Sequence, residues 1–530
     1  VTALEEGSAS PDTSPALLPV GVRPARFLVL TAVFVCAACG LVYELALIAL
    51  GSYLVGDTVG QASVVLAVMV FAMGVGSLLA KRWQPRAAAA FAAVELALAL
   101  LGGVSVLVLY AAFAWLKLYS PALVVVSFLV GLLIGAEIPL LMTLLQRIRR
   151  QDAGSAVADL FAADYVGALL GGLAFPFLLL PLFGHMRGAL LVGVVNALAG
   201  SLVVLWLFRA DLGRRLRLAL GAATVVVVAV LAGVLALVGP FEVVARQALY
   251  RDPVVLSERT PYQQIVVTRG LTLTRQPELR LYLNGDLQFS STDEYRYHEA
   301  LVHPAMAGPH ERVLVLGGGD GLAAREVLEH GSVRSLTQVE LDPAMVRLAR
   351  EWEPLRSLNG DSLSDPRVTV RTADAFTWLR EPRGPYDVVV IDMPDPDAVA
   401  TAKLYSVEFY GLVRRALAPG GRVVVQAGST SFAPRTFACI EAGMRAAGLQ
   451  TRPYHVNVPS FGDWGYLLAS AEAVPELRLP DGGPSLRSLD EATLQAAGVF
   501  APDRVVEDAE PSTLDRPRIL DLVRTEWRTR

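Results

Sequence analysis

The sequence predicts a chain in two parts. An N-terminal all-α polytopic membrane domain of about seven helices precedes a C-terminal doubly wound, Rossmann-like α/β domain with a small β-subdomain in front of it. Three observations predict this. Hydrophobic residues make up 54% of the 530, and the excess is confined to 27–240, where long windows carry almost no charge. Residues 254–289 alternate apolar and polar side chains in the manner of a β-meander. From Arg312 onward, strand-like and helix-like runs alternate, the pattern of a parallel sheet with crossover helices.

Residues 1–26, rich in Pro, Ser and Ala, read as a flexible tail. A bilayer core takes ~20 consecutive apolar helical residues. Runs of that length fall at 27–50, 58–80, 88–114, 121–146, 160–183, 187–208 and 216–239, within a transmembrane domain spanning 27–240. The glycine pairs Gly74/Gly76 and Gly167/Gly171 suit close helix packing. Glu44 precedes Gly74 by 30 residues and Glu137 precedes Gly167 by the same 30, an offset of 93 that suggests two inverted three-span repeats.

Five carboxylates lie within these spans: Glu44, Glu95, Glu137, Asp159 and Asp164. A charge at the centre of a membrane helix costs at least ~2.5 kcal/mol, so such groups face a cavity or a partner. Glu44, Glu95, Glu137 and Asp164 form a possible membrane-domain site for a cation, or else polar contacts between helices. Asp159 belongs near the interface. Basic residues cluster at Arg23/Arg26, Lys81/Arg82/Arg86, Arg147/Arg149/Arg150 and Arg209/Arg214/Arg215/Arg217, while the alternate loops carry Lys117 and Arg187. With seven crossings this bias puts the N-terminus inside and the C-terminal half outside. The formal net charge of −4 argues against a nucleic-acid partner. Cys36 and Cys39 sit in an apolar run and Cys439 stands alone, so neither a disulfide framework nor a metal site is indicated.

The soluble half divides into a β-subdomain at 241–300, a Rossmann-like domain at 301–475 and a C-terminal extension at 476–530. Asn284-Gly285 is a hairpin signal. Candidate strands fall at 312–316, 335–340, 367–371, 386–392, 421–426, 451–457 and 464–470, with helices around 321–330, 343–351, 374–380, 404–417 and 434–447. In such sheets the ligand lies at the carboxyl ends of the strands. The first strand ends in Gly317-Gly318-Gly319-Asp320-Gly321. Glu340 ends the second, 19 residues past Gly321, where an acid can bind ribose hydroxyls. Asp374 follows the third, Asp392 and Asp395 end the fourth, and Gln426 ends the fifth.

This is a nucleoside site, and charge separates the nucleosides. A pyrophosphate would be repelled by Asp320, Asp392 and Asp395 converging on one pocket, whereas a sulfonium cation would not. Asp320 would also oppose the α-carboxylate of S-adenosylmethionine. A decarboxylated donor presents only an ammonium there, which Asp320 can bind with a charge-assisted hydrogen bond. Aspartate in that position also caps the following helix, and both roles are compatible.

GGGDG (317–321), VELD (339–342), ADAF (373–376), IDMPDP (391–396) and LNGDLQFSSTDEYRYHE (283–299) resemble the spermidine synthases, the polyamine aminopropyltransferases. The resemblance covers about 254–500, and the multi-span N-terminal half resembles the membrane-bound branch of that family. It implies transfer of an aminopropyl group from decarboxylated S-adenosylmethionine to putrescine, releasing methylthioadenosine, without a metal. By position, Gln263 and Glu340 would contact the nucleoside and Asp374 the adenine amino group, with Ala375 contributing backbone. Gly317, Gly319, Asp320 and Gly321 would form the cofactor loop. His298 and Asp320 would hold amine nitrogens, and Tyr297 would line the acceptor pocket. Asp392 would accept the proton and Asp395 anchor the acceptor. The partners implied are a small polyamine, the lipid bilayer and a second copy paired through the β-subdomain.

The loop after the Asp-Pro pair departs from the family. It reads Asp397-Ala398-Val399-Ala400 where Gly-Pro is usual, and Pro394 stands where a serine or threonine is usual. Both changes lie on the acceptor side. Trp464 is a candidate wall of the acceptor pocket. The donor is made in the cytosol, which argues for a multi-pass cell-membrane protein with a cytoplasmic catalytic half, against the seven-span charge bias. A re-entrant 160–183, with Gly171, Gly172, Pro176 and Pro181, would reconcile the two.

Overall fold

The computed structural model describes residues 19–55, 58–116, 118–148, 153–272, 274–381 and 383–528. The chain divides into two compact units between Arg251 and Asp252. Most of the expected tail, together with Lys117, Arg149 and Arg150, lies outside the described residues.

The first unit is helical: α1 Val22–Val55, α2 Thr58–Ala80, α3 Ala87–Ala111, α4 Tyr119–Ile148, α5 Ala153–Ala174, α6 Leu180–Leu202 and α7 Arg214–Leu249. The tail therefore ends at α1, with Val22 already helical. The last helix continues through Pro240 to Leu249, past the boundary expected at 240. Six stretches are long and apolar enough to cross a membrane by length and composition. One is the 51-residue run Val157–Leu207, which holds both α5 and α6. It bends at Gly184, whose φ of 71° leaves the helical region at little steric cost because glycine has no Cβ.

Close contacts fix the helix directions. A Cβ on Gly167 or Gly171 would meet the Phe34 or Ala38 carbonyl oxygen at 2.2 and 2.4 Å, so α5 runs parallel to α1 at backbone contact. Gly131 and Gly135 of α4 touch Met69 and Met73 of α2 in the same rising order. Glu95 meets Gly200, and Gly103 meets Gly193, so α3 and α6 are antiparallel. Ser201 bonds Thr224 at 2.7 Å, and Leu231 reaches Gly193, setting α7 antiparallel to α6. The helices thus alternate in direction. Residues 160–174 run alongside α1, within the single apolar run Val157–Leu207. The pairs α1–α5 and α4–α2 are exchanged partners, as an inverted relation between α1–α3 and α4–α6 requires. The 93-residue register does not describe it: Gly74 meets nothing within 4 Å, and Glu44 is half-buried where Glu137 is buried.

The second unit opens with a four-stranded antiparallel meander in the order β1 Val254–Arg259, β2 Gln264–Leu271, β3 Pro277–Leu283 and β4 Asp286–Ser290. Asn284 (φ 54°) and Gly285 (φ 100°) turn β3 into β4. The second sheet has seven strands: β5 Arg312–Gly317, β6 Ser335–Glu340, β7 Val368–Thr372, β8 Tyr386–Asp392, β9 Leu417–Ser429, β10 Gln450–Val458 and β11 Gly462–Ser470. Their order is β10-β11-β9-β8-β5-β6-β7. The five strands from β9 to β7 pair in parallel, while β11 enters antiparallel between β9 and β10. Val313–Leu316, Val388–Ile391 and Val423–Val425 are fully buried, as a sheet covered on both faces requires.

Helices α8 Glu294–Val302, α9 Leu322–Leu328, α10 Pro343–Glu351, α11 Glu353–Leu358, α12 Ala375–Arg380, α13 Val399–Ala402, α14 Val407–Ala416, α15 Pro434–Ala446, α16 Glu491–Ala497 and α17 Arg518–Arg528 complete the unit. Several begin on side-chain caps. Asp342 accepts from Ala344 N at 3.0 Å, and Ser406 accepts from Phe409 N at 3.2 Å. The 476–530 segment is built into this unit. Ile519, Leu520 and Val523 join the core, Glu526 caps α15 through Arg435 N and Thr436 N, and Glu299 accepts from Arg487 N and Ser488 N.

Candidate active site

Strand order reverses between β5 and β8, and a crevice opens at the carboxyl ends of the strands at such a switch point. The pairing there sets Gly317 opposite Asp392. Gly317 has φ 84°, and a Cβ on it would meet the Asp392 carbonyl oxygen at 2.0 Å. Gly318 N–H donates to that same oxygen at 2.9 Å. Glycine cradle and acidic strand end are therefore one hydrogen-bonded piece.

A cavity of about 500 Å³ lies over this junction. It brings together every catalytic-unit residue the sequence singled out for binding or catalysis except Gly321: Gln263, Tyr297, His298, Gly317, Gly319, Asp320, Glu340, Asp374, Ala375, Asp392 and Asp395 all line it. Gly321 (φ 84°) turns the cradle into α9 behind the wall, where a Cβ would meet Ser362 Oγ at 2.8 Å.

On the donor side, Glu340 ends β6 and accepts from Asp342 N at 2.9 Å. Burial pushes its carboxyl up to about 7, with the backbone bond opposing. Gln263 reaches in from the β1–β2 turn and donates to Asp342 Oδ2 at 3.0 Å, beside Thr260 Oγ1 at 2.8 Å. Asp374 caps α12 through Thr377 N at 2.8 Å and accepts from Lys403 Nζ at 2.7 Å. Burial works against its charge, but Lys403 and the cap together hold it below the usual carboxylate range. Lys403 was not foreseen; nothing in sequence spacing ties it to Asp374.

The acceptor side is built around Asp392. Tyr297, on α8, donates its hydroxyl to Asp392 Oδ1 at 2.7 Å. It also packs against Phe461 and Tyr466, so its ring is held from three sides with His298. His298 Nδ1 lies 2.8 Å from the Glu294 carbonyl oxygen and 3.0 Å from Glu294 Oε2. Burial works against an imidazolium, yet Glu294, with Asp392 and Asp320 adding, pushes His298 up to about 9. A positive charge there would balance these carboxylates, and His298 lines the cavity beside them.

Asp320 Oδ1 accepts from Leu322 N at 2.9 Å, the capping role. Asp320 also lines the cavity. Burial pushes Asp320 up to about 6, with His298 opposing and Asp392 adding. Burial likewise pushes Asp395 up to about 6, against the Gln426 amide that donates to it at 3.3 Å. Gln426 also donates to the Met393 carbonyl at 2.6 Å, and Tyr405 hydroxyl to the Pro394 carbonyl at 3.0 Å, so the loop bearing Asp395 is fixed from below.

Asp286 and Asp397 were missed as site residues. Both are exposed at the cavity wall, and enclosure plus the repulsion of Asp397 and Asp395 pushes Asp286 up to about 7. Asp397 was visible only as a departure from the family loop, and Asp286 only as the residue after a hairpin glycine. Trp464 lines the cavity as expected, with its indole N–H buried and without a hydrogen-bond partner among the described residues.

The fold and site define a Rossmann-like transferase of methyltransferase type whose substrate cavity is ringed by carboxylates. Residues 294–480 match the Spermine/spermidine synthase domain. Over 507 residues the chain is 62% identical to Polyamine aminopropyltransferase 1 of Streptomyces coelicolor, covering 96% of each. Over 513 residues it is 48% identical to the polyamine aminopropyltransferase of Mycobacterium tuberculosis, covering 95% of this chain and 97% of that one. Among solved structures, spermidine synthase in complex with the transition state analogue AdoDATO aligns at a TM-score of 0.44 and 26% identity, over 47% of this chain and 85% of that one. The chain belongs to the polyamine aminopropyltransferases, a family of transferase enzymes.

Proposed function

We propose that the enzyme transfers the aminopropyl group of decarboxylated S-adenosylmethionine to an amine acceptor, putrescine foremost, with Asp392 as proton acceptor. The observation that carries this is the Tyr297–Asp392 hydrogen bond at the switch point, inside a cavity ringed by Asp320, Asp395, Asp286 and Asp397. Such a wall suits a sulfonium donor and an ammonium acceptor together. The Glu340 carboxyl, buried beside the Gly319 backbone, suits a ribose diol.

In the reaction the acceptor ammonium first gives a proton to Asp392. The freed nitrogen lone pair attacks the carbon next to sulfur, the new C–N bond forms, and the C–S bond electrons leave on methylthioadenosine. Tyr297 aims Asp392 at that nitrogen, and Asp395 holds the acceptor in line. An integral-membrane setting is part of this reading, supported by six stretches long and apolar enough to cross a bilayer.

The test is an acceptor screen on the purified full chain, read by mass spectrometry. Decarboxylated S-adenosylmethionine and putrescine should yield methylthioadenosine and spermidine in equal amounts. Consumption of intact S-adenosylmethionine instead, giving S-adenosylhomocysteine, would make it a methyltransferase.

A further inference from the structure

Two kinds of polar group occur inside the helical unit. Some are satisfied. Ser77 Oγ donates to the Gly135 carbonyl at 2.8 Å, the acceptor that Pro139 cannot serve because it lacks an N–H. Ser201 and Thr224 bond each other at 2.7 Å. Arg26 pairs with Asp159, and Arg147 with Asp211 at 2.8 Å, all near helix ends. These are contacts that hold helices together.

The second kind is not satisfied. Glu95 on α3 is fully buried beside the Cys36 thiol, the Asn196 amide and Glu137, and neither of its carboxylate oxygens makes a well-formed hydrogen bond among the described residues. Glu137 on α4 is 5% exposed and faces Glu95, with one oxygen unpartnered. Asn196 on α6 is fully buried. Its amide nitrogen lies 3.4 Å from the Glu95 carbonyl, and its own Oδ1 is unpartnered. Tyr43 on α1, also fully buried, packs its ring on Gly102 and leaves its hydroxyl unpartnered. Tyr43 lies within electrostatic reach of Glu95 and Glu137 across the same interior.

We propose that Glu95, Glu137, Asn196 and Tyr43 form a second amine-binding site, inside the helical unit and separate from the transfer cavity, that takes a primary ammonium group. Four helices each supply one oxygen-bearing side chain, each set inside its helix and away from the ends. Unpaired buried carboxylates are costly, and no Lys or Arg pairs with either one among the described residues. A proton shared between the two acids would satisfy one oxygen of each and leave the amide and phenol oxygens without a donor. A primary ammonium brings three N–H donors and a positive charge, which matches two carboxylates and an amide oxygen. Gly200 lets the Glu95 side chain lie against α6, where a Cβ would stand 2.6 Å from it. Asp164 on α5, half-buried, adds negative charge beside Glu137. Glu44 is not part of the cluster.

The experiment is equilibrium dialysis of labelled putrescine against the full chain in lipid nanodiscs, in potassium buffer without the aminopropyl donor. The parent protein should bind one equivalent more than the E95Q/E137Q variant, whose aminopropyl transfer should be unchanged. The D392N/D395N variant should keep the equivalent that E95Q/E137Q loses. Equal binding by parent and E95Q/E137Q would overturn the proposal. So would complete loss of binding in D392N/D395N, or displacement of the extra equivalent by sodium alone. If E95Q/E137Q also loses transfer activity through misfolding, Asn196→Leu and Tyr43→Phe replace it. Unchanged putrescine binding in both would overturn the proposal equally.

Discussion

Replacing Asp392 with asparagine keeps its size and the Tyr297 contact but removes the group that takes the proton. Turnover should fall about a hundredfold or more, while binding of the nucleoside product, followed by calorimetry, stays close to the parent's. Parallel loss of both would refute the proton-acceptor role. Tyr297→Phe deletes a hydrogen bond to a charged group at 2.7 Å. It should cost about tenfold in kcat, with little change in the KM of the donor. The acidic wall sets a pH dependence. Burial holds Asp320 and Asp395 at about 6 and Asp286 at about 7, so these groups become neutral as pH falls through that range. A neutral wall attracts an ammonium less, so the acceptor KM should rise as pH drops from 8 to below 6. Asp286→Asn should flatten the upper part of that rise.

The helices carry predictions of their own. Gly171 of α5 lies against the Ala38 backbone with no room for a side chain. Gly171→Leu should lower stability by about 3 kcal/mol, read as earlier loss of monodispersity on heating in detergent. The alternating directions of α1–α7 bring Arg23/Arg26, Lys81/Arg82/Arg86, Arg147 and Arg209/Arg214/Arg215/Arg217 to one end, where the Arg26–Asp159 and Arg147–Asp211 pairs tie neighbouring segments. In a bilayer, the positive-inside rule would make that the cytoplasmic end. A reporter placed after Arg251 should therefore score on the side opposite one at the N-terminus. Reporters on the same side would instead support the cytoplasmic catalytic half expected from a donor made in the cytosol, and would require one of the seven helices not to cross.

At the scale of the molecule, strand periodicity made the second unit legible almost residue by residue. β6 and β8 fall at 335–340 and 386–392 as expected, because each buried strand is a Val/Ile/Leu run bounded by turn residues. The insertion of β11 between β9 and β10 was not legible, since pairing order leaves no mark in local pattern. In the site, residues carried by strand ends and their motif loops were readable, Glu340, Asp392, Asp320 and Asp395 among them, whereas Lys403 reaches Asp374 only through the fold. The inverted repeat was legible as an idea but not in its register, because the glycine contacts depend on helix rotation. Stability of the second unit should also respond to pH. His298 is raised to about 9 by Glu294, so its contribution is complete below the ordinary histidine value and is lost as pH rises through 9. Melting temperature should decline over that interval, and His298→Gln should remove the decline.

Gly318 N–H holds the Asp392 carbonyl, and Gly317 stands opposite Asp392 in the β5–β8 pairing. Side chains alternate between faces along a strand, so a slip of one residue in β8 would turn Asp392 away from the cavity while the sheet stayed whole. Engineering that lengthens or shortens the stretch between Tyr386 and Asp392 would thus yield a folded, nucleoside-competent but silent enzyme, in which strand register acts as the on–off setting of the chemistry.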